Sequence, residues 1–193
     1  MKVGVTGGMG CGKSTVAALL ERAGFRRLDS DRIVRETVLV DAEVVAALRE
    51  RFGAGILDLG GRVDRAALAT RVFPDDGARR WLEELVHPRV YAAWRAAFAG
   101  ETGGRWVVEV PLLFEQGLEN WFDFTICVAL SPAQQLARLE QRGIPRALAG
   151  QRISKQLPLA RKIELSDFVL WNDGSAAFLE AQTARLIDAL QAA

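Results

Sequence analysis

The sequence predicts an α/β fold in which a five-stranded parallel sheet is sandwiched by helices, with an α-helical insertion and a helical lid. Two observations carry this prediction. Residues 7–14 read Gly-Gly-Met-Gly-Cys-Gly-Lys-Ser, a complete G-x-x-x-x-G-K-[ST] phosphate loop. Short apolar segments also alternate with helical stretches along the chain, a pattern typical of parallel strands joined by helical crossovers.

The phosphate loop lies between a predicted strand, Lys2–Thr6, and a predicted helix, Ser14–Ala23. Its glycines let the backbone turn N–H groups toward phosphate oxygens, next to the positive N-terminus of the helix. Lys13 is expected to reach the β- and γ-phosphates, and the Ser14 hydroxyl to bind Mg²⁺. The predicted ATP-binding residues here are Gly8, Gly10, Cys11, Gly12, Lys13, Ser14 and Thr15. The loop therefore indicates a fold of the P-loop NTPase type.

The remaining elements follow from hydrophobic periodicity. The predicted strands after the first are Arg26–Asp29, Arg105–Val110, Asp123–Leu130 and Asp167–Trp171. Helix is expected after the second strand to about Val38, and then over Asp41–Phe52, Asp64–Val72, Asp75–Phe98 and Ala176–Leu190. The segment Asp75–Phe98 is expected to be interrupted near His87-Pro88, because proline disrupts a helix interior.

Two segments are too long to be simple crossovers. Residues 32–100 look wholly helical and are predicted to be an acceptor-binding domain, and residues 139–164 are predicted to be a lid. The nucleotide-binding core then comprises 1–31, 101–138 and 165–193. This layout suits a small-molecule kinase, which must enclose two substrates and exclude water.

Composition narrows the class of protein. The 25 basic and 24 acidic residues nearly cancel, so charge favours neither nucleic acid nor an anionic membrane as a partner. No apolar run reaches the ~20 residues of a membrane span, and the opening strand leaves no room for a signal peptide. Two cysteines do not make a disulfide framework. The sequence therefore predicts a soluble, cytoplasmic protein.

Basic residues are concentrated between positions 138 and 162. They are Arg138, Arg142, Arg146, Arg152, Lys155, Arg161 and Lys162. Because arginine makes forked contacts with phosphate, this cluster is expected to belong to a lid that folds over ATP. The alternative is a solvated helical surface.

Carboxylates end two of the predicted strands. Asp29 and Asp31 follow the second strand, where one of them could accept the proton of an acceptor hydroxyl, and both are also good helix N-caps. Glu109 ends the third strand, where a carboxylate could hold Mg²⁺ directly or through water. Its alternative role is to pair with a nearby basic side chain.

Two further side chains need a role. His87, the only histidine, could serve packing or a helix end, and without a second histidine a metal site is not expected. Cys11 is either a small side chain tolerated between glycines or a reactive thiol. N–H donors and Lys13 are expected to stabilise its thiolate and make it more reactive than Cys127.

Several segments, in this order, resemble the dephospho-CoA kinase family over nearly the whole chain. The more specific ones are Leu28-Asp29-Ser30-Asp31-Arg32-Ile33-Val34-Arg35 and Val110-Pro111-Leu112-Leu113-Phe114-Glu115. The others are Thr6–Thr15, Leu85-Val86-His87-Pro88, Leu136–Arg142, Arg152–Pro158 and Asp167–Gly174.

The resemblance implies transfer of the γ-phosphoryl group of ATP to the ribose 3′-hydroxyl of dephospho-CoA, with Mg²⁺. It implies that Asp31 is the catalytic base and Arg142 a lid arginine that binds ATP, and that Asp31, Arg35 and His87 bind the acceptor. The sequence departs from the family in two places. Many members carry Asp at the position of Glu109, and a serine or another small residue is usual at Cys11.

Two other functional classes share the phosphate loop. A nucleoside monophosphate kinase would have the same core and lid and differ in the insertion at 32–100. A regulatory GTPase or an assembly ATPase would use the loop as a switch. The GTPase is disfavoured because the sequence lacks an Asn-Lys-x-Asp guanine-reading segment.

Overall fold

A computed structural model describes residues 1–100 and 103–192. Within this part of the chain, five strands form one sheet in the order β2-β3-β1-β4-β5. The strands are β1 (Lys2–Gly7), β2 (Arg26–Asp29), β3 (Trp106–Glu109), β4 (Phe124–Ala129) and β5 (Phe168–Trp171). The pairs β1–β3, β1–β4 and β4–β5 are parallel. The predicted α/β class and all five strands are confirmed.

Helices connect and flank the strands. They are α1 (Lys13–Arg22), α2 (Ser30–Ile33), α3 (Ala42–Phe52), α4 (Arg65–Val72), α5 (Asp76–Ala99), α6 (Pro132–Gln141), α7 (Arg146–Ser154), α8 (Leu159–Leu165) and α9 (Ala176–Ala192). A π-helical turn, Val34–Val38, follows α2, and short 3₁₀ turns occur at Ala54–Ile56 and Glu119–Trp121. No described helix is long and apolar enough to cross a membrane.

The chain divides into two compact units. The first, the nucleotide unit, combines Met1–Leu28 with the chain from Gly103 onward, and the second, the helical unit, begins at Asp29 and occupies the stretch between. The predicted core segments 101–138 and 165–193 include Glu101, Thr102 and Ala193, which lie outside the described residues. A separate lid over 139–164 stays a prediction.

The core of the nucleotide unit lies between the sheet and the helices α1 and α9. Val3 and Val5 of β1 are fully buried in this core. Gly4, which lies between them, faces Leu113 and Phe122 on the other side of β1. Side chains of a strand alternate between faces, so both faces of β1 are covered. Such two-sided burial is typical of parallel sheets and explains the apolar strand sequences.

The predicted interruption of the long helix at Pro88 is wrong, because α5 runs continuously over Asp76–Ala99. Buried Val86, Val90 and Trp94 hold the helix on both sides of the proline. The Arg89 guanidinium donates to the Leu85 carbonyl at 3.0 Å, close to the turn where proline supplies no N–H. Tertiary packing therefore outweighs the local effect of the proline.

Candidate active site

The phosphate loop of the nucleotide unit joins the carboxyl end of β1 to α1. Gly7 and Gly12 have φ angles of 136° and 102°, which residues other than glycine rarely adopt. A Cβ at Gly7 would lie 2.2 Å from the Val128 carbonyl oxygen, and one at Gly12 would lie 2.3 Å from Asn172 Nδ2. Glycine is therefore required at both positions, and the backbone there is closely surrounded.

Two amides, which the sequence did not indicate as site residues, support this loop from behind. Gln135 in α6 donates to the Met9 carbonyl at 2.7 Å, and Asn172, directly after β5, donates to the Cys11 carbonyl at 2.8 Å. Both residues are buried. The loop carbonyls are thus held from the protein side, which leaves the N–H side available to a phosphate. Only the family resemblance of Asp167–Gly174 pointed toward Asn172.

Lys13 begins α1 and folds back along the loop. Its ammonium donates to the carbonyls of Gly7 and Gly8 at 3.2 and 3.0 Å. Burial lowers the pKa of Lys13 most, Cys11 raises it, and the positive charge of Lys162 lowers it further. A phosphate group would offer this ammonium a stronger, charged acceptor than two carbonyls.

Ser14, Glu109 and Arg27 form a polar network next to the loop. The Ser14 hydroxyl donates to Glu109 at 2.8 Å, and the Arg27 guanidinium binds the other carboxylate oxygen, with its Nε at 3.0 Å. Glu109 is aligned with Val5 across the β3–β1 pair, so strand register places it at the entrance of the loop. It is therefore both the partner of a basic side chain and a neighbour of Ser14.

A hydroxyl and a carboxylate oxygen in contact suit Mg²⁺, which prefers oxygen ligands and is bound by few protein groups together with substrate phosphates. The Ser14–Glu109 pair meets this requirement. No cluster of three or more His, Cys, Asp or Glu side chains capable of holding a metal exists among the described residues. A phosphate-bound Mg²⁺ fits the pair better than a fully protein-held ion does.

The prediction that the surroundings of Cys11 stabilise its thiolate is wrong. Cys11 and Cys127 are free and fully buried. Burial raises the pKa of Cys11 more than Lys13 and the Gly8 hydrogen bond lower it. The pKa of Cys127 is raised to about 12, chiefly by burial and then by Cys11. The thiolate of Cys11 is therefore disfavoured by its surroundings, and its side chain is not exposed to solvent.

The basic segment 138–162 does not act as one surface. Arg138 donates to the Asn172 carbonyl at 2.8 Å, and Lys162 is fully buried, so these two side chains hold the protein together. Arg142 caps the end of α6 and is exposed, and Gly143 follows with a φ of 77°. The Arg142 side chain is therefore accessible to solvent at the end of a helix, and its contact with ATP stays a prediction.

The predicted acceptor residues lie in the helical unit. Asp29 caps α2 by accepting from the Arg32 N–H at 2.9 Å, whereas Asp31 is exposed in the first turn. Arg35 is exposed within the π-helical turn, a type of turn that frequently marks functional sites. Capping is thus performed by Asp29, and the carboxylate of Asp31 is accessible.

His87 is half-buried in α5 and stacks on Tyr91, with ring centroids 5.8 Å apart. Burial lowers its pKa more than Glu83 raises it, so the imidazole is neutral at neutral pH. With Glu83 it supplies the polar groups of an otherwise apolar cavity of about 170 Å³, which Val34 and Leu39 also line.

Comparison with known proteins identifies the family. The family model described as dephospho-CoA kinase matches residues 1–177. A dephospho-CoA kinase of Thermosynechococcus vestitus is 42% identical over 184 residues, which cover 94% of this chain and 91% of that protein.

Solved structures agree with this result. A Thermus thermophilus crystal structure has a TM-score of 0.81 at 34% identity and covers 97% of both chains. Dephospho-CoA kinase from Campylobacter jejuni has a TM-score of 0.73 at 25% identity, with 98% of both chains covered. A Bacteroides thetaiotaomicron shikimate kinase, at 17% identity and a TM-score of 0.55, shares the fold and covers 99% of this chain and 98% of its own. The chain described here belongs to the dephospho-CoA kinase family.

Proposed function

We propose that this protein transfers the γ-phosphoryl group of ATP to the ribose 3′-hydroxyl of dephospho-CoA, which gives coenzyme A and ADP in the final step of coenzyme A synthesis. The single observation that carries the proposal is family membership over residues 1–177. The geometry of the phosphate loop with Lys13, Ser14 and Glu109 supports the donor side of this proposal. We further propose that the enzyme acts in the cytoplasm on two small-molecule substrates, ATP and dephospho-CoA.

On the donor side, loop N–H groups and Lys13 would bind the β- and γ-phosphates. Their charge stabilisation matters most as negative charge redistributes during transfer. Ser14 and Glu109 would hold Mg²⁺, Glu109 directly or through water. When bound, the ion would neutralise phosphate oxygens and orient the γ-phosphoryl group.

On the acceptor side, Asp31 would accept the proton of the 3′-hydroxyl while the hydroxyl oxygen attacks the γ-phosphorus of ATP and ADP leaves. An accessible carboxylate can perform this step, as the catalytic aspartate of protein kinases does. Arg35 offers an exposed guanidinium to a phosphate of the acceptor, and neutral His87 offers a hydrogen bond. A nucleoside monophosphate kinase remains the alternative with the same donor side.

Arg142 would close on the triphosphate as part of a lid. We expect Arg142→Ala to lower kcat/KM by about tenfold or more and Arg142→Lys to restore little, because a charge-assisted forked contact contributes ~1.5–3 kcal/mol and an ammonium cannot form it. The measurement is steady-state ADP release with dephospho-CoA as acceptor. Arg22→Ala is the control and should keep kcat/KM, because Arg22 is an exposed arginine of the same unit that lies outside the basic segment, 3.8 Å from Glu180.

Hydrogen exchange with and without a non-hydrolysable ATP analogue provides the second measurement. The segment around Arg142 should gain protection when the analogue binds. Unchanged protection across 139–164, together with normal kinetics of Arg142→Lys, would contradict the lid.

A further inference from the structure

Lys162 in α8 is a charged side chain with no exposure to solvent. Its ammonium donates to the Pro111 carbonyl at 2.7 Å and forms an ion pair with Glu115 at 2.8 Å. The Glu115 side chain is itself only 19% exposed. An ammonium is rarely buried unless it is paired, and here both contacts go to a single turn, Pro111–Glu115, which we call the β3 turn.

The β3 turn is connected both to Glu109 and to the strand that precedes the phosphate loop. Glu109, the candidate magnesium ligand, ends β3 two residues before Pro111, and Val110 donates to the Val5 carbonyl at 2.9 Å. The Pro111 carbonyl also accepts from the Thr6 hydroxyl at 3.4 Å, directly before the phosphate loop. Lys162 therefore anchors the segment that follows Glu109 to α8. The bonds of Val110 and Thr6 join the same segment to the strand that leads into the loop.

Glu115 extends this anchor back toward α8. Its carboxylate accepts from the Leu157 N–H at 2.8 Å, while it pairs with Lys162. The same ammonium adds positive charge that acts on Lys13. A complete burial of Lys162 prevents any contact with substrate, so an effect on the reaction must pass through these neighbours.

We propose that Lys162 is a positioning residue for phosphoryl transfer, which fixes the β3 turn and thereby holds Glu109 against the phosphate loop. The inference rests on the proposed function of the donor site. The proposal adds that the rate of phosphoryl transfer depends on the Lys162–Glu115 ion pair more than the affinity for ATP does. The reason is that the N–H groups of the phosphate loop would bind the phosphates whether or not this ion pair is present.

The test replaces both partners, in Lys162→Met/Glu115→Leu. Removing one partner would leave an uncompensated buried charge, whereas replacing a buried pair by apolar side chains is often neutral for stability. We expect the double variant to unfold cooperatively but to have a kcat about 10–100-fold below wild type, the usual effect of removing a group that orients a site. Its KM for ATP should change by less than about threefold, since kcat falls alone when only transition-state interactions are lost.

A matched control is available on the other side of β1, where β4 pairs with β5. Thr125, at the start of β4, donates its hydroxyl to Asp167 at 2.7 Å, before β5 begins. Thr125→Val removes a buried polar contact of the same unit without touching the donor site, so its kcat should match wild type at a temperature where it is folded.

A folded double variant with wild-type kcat would overturn the proposal, since the ion pair would then serve stability alone. If that variant does not fold, Glu115→Gln decides at a temperature where cooperative unfolding shows it to be folded, because glutamine keeps the shape and loses the charge. A lowered kcat of the folded variant supports the positioning role, and an unchanged kcat overturns it. Lys13→Ala, assayed in parallel, separates the two claims. If it is inactive while the double variant is fully active, the donor site stands and only the role of Lys162 falls.

Discussion

Replacing Lys13 by alanine is expected to lower kcat by about 10³-fold or more, since several kcal/mol of transition-state stabilisation on the β- and γ-phosphates would be lost. The fold should survive, because the bonds that the Lys13 ammonium makes to the carbonyls of Gly7 and Gly8 stay within its own loop. The measurement is ADP release with saturating substrates, alongside cooperative thermal unfolding.

Lys2→Ala is the control for this change. Lys2 begins β1, the strand that ends at the phosphate loop, so its side chain lies at the other end of the same element. It should keep near wild-type turnover. Near-normal turnover of Lys13→Ala, with unfolding unchanged, would remove the phosphate loop from the mechanism.

Asp31→Asn is expected to lower kcat by about 10²–10⁴-fold, the usual effect of losing a positioned proton acceptor. Binding of ATP should change little, because the carboxylate acts on the acceptor hydroxyl. Rapid-quench turnover and equilibrium nucleotide binding measure the two quantities separately.

Asp29→Asn is a close control, two residues away in the same motif. Asp29 caps α2, and asparagine is an equally good cap, so this variant should retain both stability and turnover. If Asp31→Asn behaves like Asp29→Asn, Asp31 is not the base.

The sequence allowed the sheet to be predicted because apolar strands and a glycine-rich loop are local signals. All five predicted strands occur, and helix α1 follows the loop as expected. Packing between residues far apart in the sequence was harder to predict. The unbroken α5 depends on Val86, Val90 and Trp94 being buried, which periodicity around a proline does not reveal.

The candidate site shows the same limit. The loop motif identifies Lys13 and Ser14, yet the amides of Gln135 and Asn172 reach it across 126 and 161 residues of sequence. The sequence placed Lys162 in a lid that folds over ATP or, alternatively, on a solvated helical surface, but its side chain is fully buried. A charged residue in a basic helical segment gives no sequence signal for burial, since its partner Glu115 lies in another motif.

The most direct test of the proposed reaction is ADP release from ATP across a set of acceptors, with the phosphorylated product identified by mass spectrometry. Dephospho-CoA, its 3′-deoxy analogue, nucleoside monophosphates and shikimate form this set. We expect rapid ADP release with dephospho-CoA alone, one phosphoryl group added to it, and no product from the 3′-deoxy analogue. Faster transfer to a nucleoside monophosphate or to shikimate, or equal ADP release with the 3′-deoxy analogue, would contradict the account.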